Sequence, residues 1–222
     1  YESSGVFHPA NSTAKNYTLF CLLQRPSNTK VDAAEFLQGA QVAVERVFNG
    51  MFSSELMGPL SGKKSVKPAI ADEMEAMFTP GAYQTWLLPK LWTNKGTRIR
   101  GSKIKTFTGV HLTGVSMKRI TLASYKISDL QQRALGMDLA KLQKQRIEKA
   151  MEMTPEEATT MVERLRLSVT FNVALSVKCV EDDGEETVDE GESTFVLCFE
   201  SLATRPDDVD WRIQKMEMIH PE

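Results

Sequence analysis

Leu167-Ser168-Val169-Thr170-Phe171-Asn172-Val173-Ala174-Leu175-Ser176-Val177-Lys178-Cys179 is the stretch whose reading decides the fold. Every odd position is apolar, while the even positions run Ser, Thr, Asn, Ala, Ser and Lys. Side chains alternate across a pleated sheet, so the pattern predicts a strand with one buried face. At about 3.3 Å per residue the stretch spans about 40 Å, well past the usual strand length. A strand that long must curve, and a curved strand with one apolar face requires helices in its concavity.

On the N-terminal side of this strand, Thr154-Pro155-Glu156-Glu157 has a capping Thr, a Pro in the first turn and a Glu at the third position. That combination predicts a short helix leading into the strand. Further back, Ser128 to Met153 reads as helix, polar outside, with Leu130, Ala134, Met137, Leu142 and Ile147 as an imperfect apolar stripe. Before it, strands are predicted over Ile104 to Phe107 and Val110 to Ile127, with Gly109 and Gly114 at bulges or bends. On the C-terminal side, Glu181 to Glu192 reads as a loop and Thr194 to Ser201 as a strand in which Phe195, Leu197 and Phe199 alternate. Pro206-Asp207-Asp208 then turns the chain into a last strand, Trp211 to Ile219.

The helices that fill the concavity come earlier in the chain. Asp32-Ala33-Ala34-Glu35 is a capping box, and Ala33, Leu37, Ala40, Val44, Val47, Phe48 and Met51 recur at helical spacing. Gly39 in the middle costs up to about 1 kcal/mol of helix propensity, a reason to expect close packing there. A second helix is predicted from Pro68 to Phe78, with Ile70, Met74, Met77 and Phe78 inward and Pro80-Gly81 as its end. A short amphipathic piece, Tyr83 to Trp92, follows. Residues 1–30 hold Pro9, Pro26 and many Ser, Asn and Thr around Tyr17 to Leu23, and read as an extended N-terminal arm touching the body at that patch. Helices first and a long antiparallel sheet after them make an α+β pattern. The expected organisation is one domain over residues 31–222, with a helical insertion at about 128–153.

A chain of 222 residues with 41% apolar content can build a sizeable core. Cys21, Cys179 and Cys198 are an odd number without metal-ligand spacing, which suits free thiols in a reducing compartment; Cys179 and Cys198 could face each other across a hairpin. Asn11-Ser12-Thr13 and Asn16-Tyr17-Thr18 match the glycosylation sequon, but the thiols point away from secretion. No run of about 18 apolar residues is present. Tyr1 at the start fits a processed or trimmed form.

A search for catalytic chemistry finds little. His8, His111 and His220 are the only histidines, and there is no Walker loop, Gly-x-Gly-x-x-Gly, Cys-x-x-Cys or His-Glu-x-x-His motif. An isomerase-type cone needs an ionisable group on its concave face, and the odd positions of the central strand offer none. The expectation is no catalytic residue, no metal site and no cofactor.

Charge distribution says more than the net charge of −2 or the pI near 6.0. From Ala76 to Ser128 there is no Asp or Glu, while Lys90, Lys95, Arg98, Arg100, Lys103, Lys105, Lys118, Arg119 and Lys126 supply nine cations. Such a face suits the phosphates of RNA or anionic lipid head groups, and Trp86, Trp92 and Phe107 among the cations could reach a base or a bilayer interface. The opposite pole, Glu181 to Glu192, holds eight acids in twelve residues. It lacks the ligand order of an EF-hand loop, and reads as a solvated hairpin tip or a dock for a basic partner.

Three pieces together resemble the mitochondrial Tim-forty-four-like domain: the helix from Val31 to Phe48, the helix beginning near Pro68, and the closing turn and strand from Phe199 to Met218. Phe36 to Ala40 resembles the family's first helix, an aromatic followed by a Gly-Ala pair, and Asp210-Trp211-Arg212-Ile213 resembles its terminal Trp-x-Ile strand. The resemblance covers roughly residues 31–219 and rests on packing signals, not on chemistry. It implies a cystatin-like fold, a cone of helices held by a curved antiparallel sheet. It also implies a non-enzymatic scaffold in the mitochondrial matrix, peripheral to the inner membrane. Members include an import-motor anchor, a mitoribosomal large-subunit protein that docks the ribosome to the membrane, and an adaptor of the matrix-facing AAA protease.

With the acid-free segment, the leading expectation is a component of, or docking factor for, the mitochondrial ribosome large subunit at the inner membrane. The nine cations would contact ribosomal RNA and mitoribosomal proteins, or the anionic lipid surface, with no small-molecule substrate. An adaptor of a matrix protease or protein-import motor, and a small-molecule-binding or isomerase-type cone, remain as alternatives. The helix over Ser128 to Met153 departs from the family pattern, and no functional residue of the family maps onto this chain.

Overall fold

Four strands, β1 (Ile99–Thr121), β2 (Met161–Val180), β3 (Glu186–Leu202) and β4 (Arg212–Ile219), form one open antiparallel sheet in sequence order. The structure is a computed structural model, and it describes residues 5–51, 53, 69–83, 99–133, 139–180 and 184–219. The protein is α+β. The alternating stretch is the C-terminal part of β2: its odd side chains Leu167 to Leu175 are buried, while Val177, Cys179 and the even ones from Ser168 to Ser176 are partly exposed. Phe171 pairs with Val110 on β1 and Phe195 on β3, and Leu167 with Val115 and Phe199, so the apolar set is continued on both neighbours. Full burial of each such side chain contributes about 1.5–3 kcal/mol.

The helices are α1 (Thr13–Leu23), α2 (Ala33–Met51), α3 (Ala69–Met77), the single turn α4 (Pro80–Ala82), α5 (Leu122–Arg133), α6 (Leu139–Met151) and α7 (Pro155–Thr159). α2 lies on the odd-numbered face of the sheet. Phe36 meets Phe199 edge-on at 5.4 Å, and Phe48 meets Phe195 at 4.8 Å. Asp32 Oδ1 accepts from the Ala34 and Glu35 backbone N–H groups and so starts the helix, the N-cap half of the capping box. Near its other end Gly50 is buried against α3, where a Cβ would sit 2.8 Å from Met74 Sδ. α5 crosses the even-numbered face and touches α4 and α7. Ser128 Oγ accepts from Arg164 Nη1 at 3.4 Å.

Both outer edges of the sheet are covered in part. Val6 accepts from the Leu112 N–H at 2.8 Å beside β1, and Ile213 of β4 accepts from the Thr79 N–H at 2.9 Å. Such cover removes exposed pairing groups that would otherwise template association.

Several sequence expectations need correction. The N-terminal arm is not extended throughout: Ser12 accepts from the Lys15 N–H and begins α1, which rests on β1. The two strands expected over 104–127 are one strand, bulged near Gly101, Gly109 and Gly114, and it stops at Thr121. Pairing explains the stop: Thr121 faces Met161 at the start of β2, a last bond joins the Leu122 N–H to the Thr160 carbonyl at 2.8 Å, and before Thr160 the opposing chain is helix and no longer strand. Residues 122–127 open α5 instead; of the helix expected over 128–153, residues 128–133 are helical in α5 and Leu139–Met151 form α6, with 134–138 outside the described residues. α3 ends at Met77, just before Pro80-Gly81 as expected, but these two residues also start the turn α4, with Thr79 Oγ1 accepting from the Ala82 N–H. Most of the expected acidic loop is strand, because β3 begins at Glu186. Cys179 and Cys198 are not opposite each other; they pair with Thr187 and Ser168, and all three cysteines are free thiols. The piece over Tyr83 to Trp92 lies outside the described residues apart from Tyr83.

Candidate interaction surfaces

The nine cations are split by the structure. Lys90, Lys95 and Arg98 lie outside the described residues, and Arg100 is described by its backbone alone. Lys103 and Lys118 are exposed on the even-numbered face, paired with Ser176 and Arg164 of β2. They sit near opposite ends of β1, roughly 50 Å apart at about 3.3 Å per residue, so they form a line and not a patch. Lys105 is ion-paired with Glu190, and Lys126 with Glu157. Arg119 donates from Nε to Glu163 Oε1 at 2.9 Å and from Nη2 to Ser27 Oγ at 2.7 Å. Phe107 is turned to the odd-numbered face, 6.0 Å from Phe171 and partly buried against the core.

Glu163 organises the end of the sheet to which Arg119 belongs. Burial alone pushes its carboxyl up, but the Ser27 backbone N–H at 2.7 Å, the Ser27 hydroxyl at 2.7 Å and Arg119 together hold it below the usual carboxylate range. Glu157, which Lys126 and the Thr154 N–H both approach, is also held low. These contacts consume cations that sequence alone counts as available.

The even-numbered face under α5 holds a second charge group. Glu200 is 6% exposed and receives Arg166 Nε at 2.5 Å, with Arg164 Nε at 4.0 Å. Burial first, then the neighbouring Arg166, push Arg164 below its ordinary pKa, while Glu200 pulls it back. Burial likewise pushes the Cys198 thiol up, away from the thiolate form.

The chain also brings together groups that are remote in sequence. His8 and His111 meet edge-on at 5.2 Å because the 6–7 segment runs beside β1, and His111 Nδ1 lies 2.9 Å from the Gly5 carbonyl. Among the described residues no group of three His, Cys, Asp or Glu side chains is placed to hold a metal ion. No helix of the described residues is long and apolar enough to cross a membrane.

A groove of about 660 Å³ runs along the outer side of α2, between its first half and the corner that carries Val209 and Trp211. Its floor is apolar: Phe36 and Trp211 lie 4.8 Å apart, beside Ala40, Ala43 and Phe199. Gly39 opens into it, and a Cβ built there would meet nothing within 4 Å. The close packing expected at Gly39 is therefore absent within the described chain. Val42 stands at the side of the groove, 49% exposed. Among the described residues neither Tyr nor His lines it, and its charged ones are Lys30, Asp32 and Glu35.

The chain matches no family model, and a search among curated proteins finds no match.

Proposed function

We propose that the chain is a non-enzymatic scaffold of the Tim-forty-four-like family, with the cystatin-like cone of that family. In this reading it works in the mitochondrial matrix, peripheral to the inner membrane, as a component of or docking factor for the large ribosomal subunit. The observation that supports the reading is the meeting of the two motifs on which the resemblance rests. Phe36, from the aromatic-Gly-Ala helix, and Trp211, from the terminal Trp-x-Ile strand, pack ring to ring at 4.8 Å. Residues this far apart in sequence and joined in one contact are what a shared packing plan would require. Lys103 and Lys118 remain exposed for RNA phosphates or lipid head groups.

The test is sedimentation of mitochondrial lysate containing the tagged chain. Co-migration with the large ribosomal subunit at low salt, lost as salt is raised, is the expected outcome, because phosphate contacts release counterions. Absence from the subunit at every salt concentration rejects the ribosomal role.

A second reading, an adaptor of a matrix protease or import motor that uses protein surfaces only, has its own support. Lys105, Arg119 and Lys126 are engaged by the chain's own carboxylates, and the floor of the groove along α2 is apolar. A small-molecule cone has less support, since among the described residues the groove brings no Tyr or His beside its acids.

A further inference from the structure

We propose that the groove along α2 is a docking site for one amphipathic helix of a partner protein, about three turns long and carrying Lys or Arg beside its apolar face. This goes beyond the scaffold reading and stands whichever complex the chain joins.

The first argument is Gly39. A helix interior penalises glycine relative to alanine, and such a position is ordinarily explained by a neighbour that needs the space. Here nothing within 4 Å needs it. What a missing Cβ provides is close approach of another backbone, and with Ala43 one turn on the wall of the groove is low enough for a helix at the short end of the usual 8–10 Å spacing. Phe36 and Trp211 form an aromatic floor, the type of anchor point that dominates binding energy when covered.

The second argument is the shape of the occupant. From Val31 to Ala43 the wall is α2 and its lead-in, about 18 Å long at a rise of about 1.5 Å per residue. The backbone groups of that wall are bonded within the helix, so an extended peptide laid on it would surrender its water hydrogen bonds and gain none. A helix brings its backbone already satisfied.

Charge is the third argument. Asp32 and Glu35 line the groove and Asp207 stands two residues before Val209; none of the three makes an ion pair among the described residues. Asp210 is taken by Arg212, and among the described residues the one cation of the lining is Lys30. Carboxylates beside an apolar floor complement a helix whose apolar face is edged with Lys or Arg.

The experiment uses the full chain and a fluorescein-labelled peptide of about 18 residues, built only from Leu and Lys with Leu at helical spacing. Fluorescence anisotropy is expected to give a saturable isotherm in the micromolar range, with a scrambled peptide and a Glu-for-Lys peptide at least about tenfold weaker. Gly39→Leu puts a better helix former at the site and fills the groove, so it folds, as circular dichroism will check, and is expected to lose about tenfold or more in affinity. Glu35→Lys, on the exposed rim, is expected to weaken the Lys peptide and strengthen the Glu peptide. No saturable binding, equal binding of the scrambled peptide, or full affinity in Gly39→Leu each overturns the proposal. A dimer in sedimentation velocity that Gly39→Leu dissolves would assign the groove to a second copy instead. Displacement of the peptide by vesicles of phosphatidylcholine with phosphatidylserine would assign it to lipid.

Discussion

α2 and α5 lie against opposite faces of one sheet and are held there by different forces. α2 is seated by Phe36, Phe48 and its aliphatic neighbours on the odd side chains of β2 and β3, where Leu167, Val169, Phe171 and Leu197 are 0% exposed. α5 is seated over Arg164, Arg166 and Glu200, with the Ser128 hydroxyl as one contact. The first face is non-directional and nearly indifferent to salt; the second depends on geometry and on every partner being present. One sheet thus uses apolar burial where it must hold its core and charge where it must place a helix over a polar surface.

The comparison breaks most severely if the apolar face proves dispensable. Phe171→Ala removes a fully buried ring that touches Phe107 and is expected to cost about 3–5 kcal/mol, read as a lower urea midpoint with an unchanged slope. That loss should be the same at low and high salt. A loss under about 1 kcal/mol would mean that α2 and the sheet do not share a packed core.

The charged face is tested by Glu200→Gln, which leaves two guanidinium groups without their carboxylate. Removing one partner of a buried pair costs about 3–5 kcal/mol, and because Arg166 keeps 26% of its side chain in water the expected loss is about 2–3 kcal/mol. Replacing Arg164 and Arg166 by Met together with Glu200 by Leu should restore most of it, since no charge is then stranded. If the triple variant is as unstable as Glu200→Gln, the group does more than satisfy itself.

Glu163 gives the pH dependence. Its folded carboxyl is held below its unfolded value of about 4.3, so its stabilising effect is fully present above that value and is lost as pH falls through the folded one. Glu163→Gln keeps the shape but forfeits the charge-assisted bonds to Ser27 and Arg119, with an expected cost of about 1–2 kcal/mol at pH 7. The difference between wild type and variant should shrink steadily below pH 4 in urea titrations. A difference that holds constant down to pH 2 would remove the carboxylate from the account.

Local signals were readable in the sequence, and signals that depend on distant partners were not. The alternation of β2 and the capping box at Thr154 are written in neighbouring residues, and both stand in the structure: Thr154 Oγ1 accepts from the Glu157 N–H and Glu157 reaches back to the Thr154 N–H. Leu122 to Ile127 is apolar in a way that suits strand or helix, and only the place where β2 begins decides between them. The acids at Glu186 to Glu192 looked like a loop because their strand is specified from outside, by pairing with Ala174 to Val180 and by Lys105 and Lys178. The cations of β1 were legible as charges, but the carboxylates that engage them lie on other elements, and no spacing rule reaches that far. The groove was half visible: Gly39 signalled an exception in α2, while Trp211, which completes the floor, comes from the far end of the chain.

The smallest expected effect concerns the two glycines of α2, which separate its inner and outer sides. Gly39→Ala adds a methyl group that meets nothing within 4 Å and removes the helix penalty, so it should raise stability by about 0.5–1 kcal/mol. Gly50→Ala gains the same propensity but drives its Cβ to 2.8 Å from Met74 Sδ, and Met74 is 1% exposed with little room to yield. Its overpacking cost of about 1–3 kcal/mol should cancel or exceed the gain. Thermal unfolding of the pair therefore measures which side of α2 is closed by the fold. If Gly39→Ala destabilises as Gly50→Ala does, another part of the chain already occupies the outer side, and the two faces of the helix are not as different as the comparison requires.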